Sequence, residues 1–133
     1  MGAEQKGFFM NLVEKNDAIS EAKKLINETL YAAAIECLKS ILVDWPDDLD
    51  VQYLLAHAYW DNNQSGHADE MAETLIEKYP EELRSNLLHA DFLCRIEKKR
   101  EAVFFYDKAK KLCPEDLADS VAEEYLKRGS ECW

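Results

Sequence analysis

A chain of 133 residues is long enough for one domain with a real core, and a hydrophobic content of 47% excludes wholesale disorder. Its 16 basic and 27 acidic residues leave a net charge of −11, which repels phosphate backbones and argues against nucleic acid as a partner. With four glycines and three prolines, long stretches are open to helix, and no apolar run reaches the ~20 residues that would insert in a membrane.

The chain opens Met1-Gly2-Ala3-Glu4-Gln5-Lys6, without the apolar core of a secretory leader, and Lys6 stands where a myristoylation motif needs Ser or Thr. A cytoplasmic location is the resulting expectation. Phe8, Phe9, Leu12 and Val13 then carry an apolar stripe toward Ile19 and Ala22 with no breaker between them. Residues 1–14 are therefore expected to be an N-terminal segment that extends the first helix forward from near residue 8.

From there the chain repeats. The prolines stand at 46, 80 and 114, so both intervals are 34 residues. Trp45, Tyr79 or Cys113 precedes each, and two acids follow: Asp47-Asp48, Glu81-Glu82 and Glu115-Asp116. A shared period of this length marks one supersecondary unit copied along the chain. Setting each proline third from the end of its unit gives repeats at 15–48, 49–82 and 83–116, with 117–133 beginning a fourth and stopping after one helix.

Within each unit the apolar spacing is helical twice over. Ala22/Leu25, Ala56/Tyr59 and Ala90/Leu93 share places in the first half. In the second half Ala34/Leu38/Ile41, Ala68/Ala72/Leu75 and Ala102/Tyr106/Ala109 recur at i, i+4 and i+7. Each repeat is expected to be a helix pair. Asn27 and Thr29 could form the first internal turn, and Asn62, Asn63 and a capping Ser65 the second. Glu97-Lys98-Lys99-Arg100 offers neither signal. The acid pairs fall where helices begin, and Lys78, Lys110 and Lys111 where they end, as the helix dipole favours. Leu117, Val121, Ala122, Tyr125 and Leu126 lie among charged residues and suit a C-terminal capping helix.

These positions resemble the tetratricopeptide repeat (TPR) family, over roughly residues 15–116. The small residues Ala22, Ala34, Ala56, Ala68, Ala90 and Ala102 and the three prolines carry the likeness. His89 and Glu21 stand where the family favours a bulky apolar residue, and Ala18, Gln52 and Asn86 where it favours an aromatic. The resemblance implies an all-α, right-handed superhelical stack of antiparallel helix pairs. It also implies a protein–protein interaction module, an adaptor or chaperone, rather than an enzyme.

A residue advances about 100° around a helix, so Tyr53, His57 and Trp60 share a face distinct from that of Leu55, Ala56 and Tyr59. The period carries this set to Ile19-Lys23-Ile26, Leu87-Asp91-Cys94 and Val121-Tyr125-Arg128. In TPR proteins the leading helices line a concave groove, and the resemblance points these residues into it. Packing between helices, or filling of the groove by the chain's own N-terminal helix, would account for the same apolar residues. Chaperone adaptors of this family grip a C-terminal carboxylate, but the matching places here are Ile19, Lys23, Leu54, Arg84 and Leu88, of which only Arg84 suits. A more apolar peptide or amphipathic helix is the expected partner.

Phe104 and Phe105 raise a second possibility, because the pattern puts Phe104 on a normally solvated face. A homodimer contact, a second partner site and packing against the segment near Trp133 are the alternatives. The alternative to an adaptor as a whole is a self-assembling or docking subunit of a larger complex. His57, His67 and His89 lack ligand spacing, and no phosphate loop, nucleophile elbow or paired catalytic carboxylates can be placed, so neither metal nor cofactor is expected. Cys37, Cys94, Cys113 and Cys132 form no C-x-x-C and are expected as free thiols, the first two more buried than the others.

Overall fold

The computed structural model describes residues 9–113. The expected C-terminal helix, Tyr125 among its residues, and positions 1–8 lie outside the described residues. Six helices run through the described residues: α1 (Leu12–Asn27), α2 (Tyr31–Asp44), α3 (Leu49–Asp61), α4 (Ser65–Lys78), α5 (Leu83–Arg95) and α6 (Lys99–Leu112). They follow one another in sequential pairs, and none is long and apolar enough to cross a membrane. Two compact units, Met1–Ala68 and Asp69–Trp133, divide within α4.

In the first unit α1 begins at Leu12, later than the apolar stripe suggests. Asn11 is the reason. Its side chain accepts from the Glu14 N–H at 2.8 Å, and its own N–H donates to Glu14 Oε1 at 3.0 Å, a complete capping box. The preceding backbone is tied elsewhere: the Met10 N–H donates to Asp44 Oδ2 at 2.6 Å, and Trp45 Nε1 donates to the Met10 carbonyl at 3.0 Å. Lys15 pairs with Asp48 at 2.6 Å and sits 4.2 Å over the Trp45 ring, tying α1 to the α2–α3 junction.

α1 packs on α2 and α2 on α3. Ala22, Ala34, Ala56 and Ala68 are fully buried, and their small side chains let the helix axes approach closely around Leu38, Ile41 and Val51. Each of those three large side chains contributes about 1.5–3 kcal/mol of burial. In the second unit α5 packs on α6 around Leu87, Leu88, Ala90, Leu93, Ala102, Tyr106 and Ala109. The residues that recur in the sequence are therefore buried here, except Leu25 and Tyr59, which are half-buried.

The 34-residue period is also written in the backbone. Thr29, Asn63 and Glu97 take the left-handed conformation, with φ of 61°, 62° and 62°. Around each the hydrogen bonds match. The N–H groups of Leu30, Gln64 and Lys98 reach the carbonyls of Leu25, Tyr59 and Leu93 at 2.9, 2.8 and 2.9 Å. Those of Thr29, Asn63 and Glu97 reach Ile26, Trp60 and Cys94 at 3.0, 3.2 and 3.1 Å. These are three Schellman turns, each using a non-glycine residue where glycine is usual. Asn27 and Ser65 have other roles than expected: Asn27 is the last residue of α1 and Ser65 the first of α4.

The turns at Pro46 and Pro80 share a different device. Gln52 Nε2 donates to the Pro46 carbonyl at 2.6 Å, and Asn86 Nδ2 donates to the Pro80 carbonyl at 3.0 Å. Two places where the family favours an aromatic are thus filled by amides that satisfy the carbonyl a proline turn leaves open. Asp48 caps α3 by accepting from the Val51 N–H at 3.0 Å. Glu82 takes the same place before α5 without a side-chain bond, and Ser85 and Asn86, both fully buried, bind its carbonyl instead.

Candidate functional site

In the first unit the residues expected on the leading-helix face lie on α1 and α3. Because α3 turns about 100° per residue, Tyr53, His57 and Trp60 align along it. The Tyr53 and His57 rings are 4.6 Å apart between centroids, and His57 meets Trp60 edge-on at 5.1 Å. Tyr53 is 2% exposed and Trp60 9%, which leaves the half-buried His57 as the accessible member of the row. Leu54 and Ile19 are half-buried, and Lys23 is exposed on α1.

In the second unit, α5 carries the matching residues. Leu87 and Leu88 are fully buried, whereas Arg84, Asp91 and Cys94 are half-buried. The Asp91 carboxylate accepts a hydrogen bond from the buried Tyr106 hydroxyl of α6. Asp91, expected on the binding face, therefore ties α5 to α6. Cys94 is disulfide-bonded, which corrects the expectation of free thiols throughout.

Cys37 and Cys113 are reduced and both half-buried. The Cys37 thiol donates to the Ala18 carbonyl at 3.4 Å. Burial, and secondly the Glu21 carboxylate, raise its pKa above the ordinary thiol value, which makes it a poor nucleophile. Among the described residues no group of three or more His, Cys, Asp or Glu side chains could hold a metal ion.

Phe104 is 63% exposed on α6, and its ring meets the half-buried Phe105 edge-on at 5.1 Å. Phe105 in turn meets His89 edge-on at 4.5 Å. Nothing in the histidine spacing pointed to His89 as part of an aromatic cluster. Its departure from the bulky apolar pattern of the repeat was the available signal, since a polar ring at a packing position needs particular neighbours.

The sequence matches no protein-family model and no curated protein. Among solved structures the fold is similar to that of the TPR domain of P58(IPK), with a TM-score of 0.59 at 17% identity over 90% of this chain. The likeness covers 33% of that chain, so the present sequence spans about a third of its length. Helix pairs recurring every 34 residues, closed by matching turns and overlaid on that domain, give this chain the fold of a tetratricopeptide-repeat array.

Proposed function

We propose that the chain is a protein-interaction module, an adaptor or chaperone, whose leading helices receive an apolar peptide or amphipathic helix from another protein. The observation that carries this reading is the TPR-type fold itself, since stacked helix pairs build extended surfaces for other molecules. The character of the face supports an apolar ligand. Ile19, Leu54 and Leu88 occupy three of the places where a carboxylate-gripping relative would set polar side chains, and His57 rests on two aromatic rings. Shielding an apolar segment would be the mechanism, and no catalytic step is assigned.

Site-directed photo-crosslinking in the source organism tests it. With p-benzoylphenylalanine at position 57 or 23, the same partner adduct is expected from both positions. None is expected from position 39, an exposed place on α2. Equal capture from position 39, or capture from neither site, refutes the reading.

Self-assembly, or docking as a subunit, is the second reading. One observation favours it: Phe9, Leu12 and Val13 are 63%, 57% and 67% exposed at the start of α1. Joining two copies there would remove that apolar surface from water. Sedimentation across a wide concentration range separates the readings, because a monomer throughout excludes self-assembly.

A further inference from the structure

The exposed apolar side chains at the start of α1 stand on backbone that is already held. Met10 is tied to the end of α2 through Asp44 and Trp45, and Asn11 closes its capping box with Glu14. Phe9, Leu12 and Val13 are therefore presented on an ordered chain, which lowers what a ligand loses on docking. Val13 stands nine residues, and so about 180°, from the buried Ala22, on the outer side of α1. The Met10–Asp44 bond also sets this start beside the end of α2, where Val43 is 78% exposed. Four large hydrophobic side chains thus meet the solvent at one end of the first unit.

Charge at this end is one-sided. Residues 9–17 and 36–50 hold seven acids against two bases, Lys15 and Lys39. Both bases are matched, Lys15 by Asp48 at 2.6 Å and Lys39 by Glu36 at 3.7 Å. That leaves an excess of five acids: Glu14 and Asp17 on α1, Asp44 closing α2, and Asp47 and Asp50 around the start of α3. Glu14 and Asp44 accept from backbone N–H groups, which are neutral and leave their charge in place. The next bases on α1, Lys23 and Lys24, stand about 16 Å further along the helix. Residues 1–8 hold one acid and one base, Glu4 and Lys6, and add nothing net. The positive end of α1 meets the negative end of α2 here, so the helix dipoles offset and the side chains set the sign.

We propose that this end of the first unit docks a basic amphipathic segment of another protein. Such docking rests on the second reading above, in its docking form, and gives the partner its chemistry. Aliphatic or aromatic side chains of the segment cover Phe9, Leu12 and Val13, and its Lys or Arg residues meet Asp17 and Asp44. A second copy is a poor occupant, because patch against patch would set one acidic excess on another. Its α6, the most basic described helix, is no better. On the side of Phe104, Glu101 and Asp107 offset Arg100 and Lys111, while Lys108 is held by Glu81 at 2.8 Å.

The test places p-benzoylphenylalanine at position 13 of the full chain and, as a control, at position 104, which is exposed but lacks the acidic excess. Three synthetic helical peptides are offered: a Leu/Lys amphipathic one, its Leu/Glu counterpart, and a Lys/Gln peptide of the same positive charge without an apolar face. Irradiation should join position 13 to the Leu/Lys peptide, and do so far more than position 104. Without the crosslinker, Val13→Ser should weaken that peptide roughly tenfold, the loss of one covered aliphatic side chain. Glu14→Gln with Asp17→Asn should flatten the salt dependence of its binding. Equal capture of the Lys/Gln peptide, or equal capture from position 104, would reduce the effect to bulk attraction by a chain of charge −11 and overturn the proposal. Equal capture of the Leu/Glu peptide would overturn it as well, by making charge irrelevant. Adducts between two copies at position 13 would overturn it while leaving the self-assembly form of the second reading standing. Adducts within one chain, or none, would overturn both. Val13 is exposed and Gln suits a capping box, so unchanged circular dichroism separates lost binding from lost folding. Crosslinking from positions 57 and 23 succeeds or fails independently of these outcomes.

Discussion

Thr29→Gly should stabilise the protein, although it removes a side chain and a hydrogen bond. Thr29 closes the Schellman turn after α1 with φ of 61°. Left-handed backbone costs an L-residue about 1–2 kcal/mol, and branching at Cβ puts threonine near the upper end. Glycine escapes that strain but loses about 0.5–1 kcal/mol more conformational entropy on folding. The Thr29 hydroxyl bond to the Glu28 carbonyl, at 2.6 Å, is exposed and worth a few tenths of a kcal/mol at most. The net gain is about 0.5–1 kcal/mol, or roughly 2–4 °C in Tm. Urea denaturation followed by far-UV circular dichroism measures it, provided the m-value is unchanged. Asn63→Gly should gain less, because Asn tolerates the left-handed region, and Glu97→Gly should fall between them. Thr29→Ala, which keeps Cβ at the same φ, should gain little. If Thr29→Gly destabilises at constant m, the backbone there is not strained, and the argument fails for all three turns.

Asp48→Ala should cost about 2 kcal/mol in the same assay, because it removes both the α3 cap and the partner of Lys15, at a pair whose side chains are each 13% exposed. Asp48→Asn keeps a capping oxygen and should cost about half as much. Asn86→Ala strips donors from the Pro80 and Glu82 carbonyls in a fully buried position, and should cost about 1–3 kcal/mol. Gln52→Ala, whose bond to Pro46 is exposed, should cost under about 1 kcal/mol; equal losses would mean that burial does not set the difference. Burial holds the His89 pKa below 6.5 in the folded chain, so the unfolded chain binds the extra proton first as pH falls. Stability should be highest above that value and decline as pH drops through it toward the folded pKa. His89→Phe should remove that component of the pH dependence, and an unchanged profile would assign it to other groups.

The architecture was legible because one rigid residue type fell in register: proline interrupts a helix, and its recurrence dates every element around it. The alanines at 22, 56 and 90 and at 34, 68 and 102 were legible for a related reason, since a small residue repeated amid larger apolar ones marks where helices meet. Local chemistry that breaks a usual preference was harder to read. Turn rules look for glycine after a helix, so Thr29 and Glu97 gave no sign of their left-handed backbone. The capping box of Asn11 and Glu14 was present in the letters, but the apolar stripe from Phe8 to Val13 pointed to an earlier start.

Exposure depends on the third dimension, and the candidate surface shows why that matters. The 100° rule brought Tyr53, His57 and Trp60 into one row, and their rings do touch. It could not tell which rings would be covered. Replacing Tyr53 and Trp60 by Glu would bury two charges in positions 2% and 9% exposed, and the helix pair would fail before any ligand was lost. Binding has to be probed at a residue that folding does not need, and within this row that residue is His57. His57→Ala should leave the urea midpoint within about 0.5–1 kcal/mol of the parent, because a half-buried ring gives up only part of its contacts. It should nevertheless weaken an apolar ligand seated on the row. A midpoint shift as large as that of Asn86→Ala would make His57 a structural residue, and the leading-helix face would lose its accessible centre.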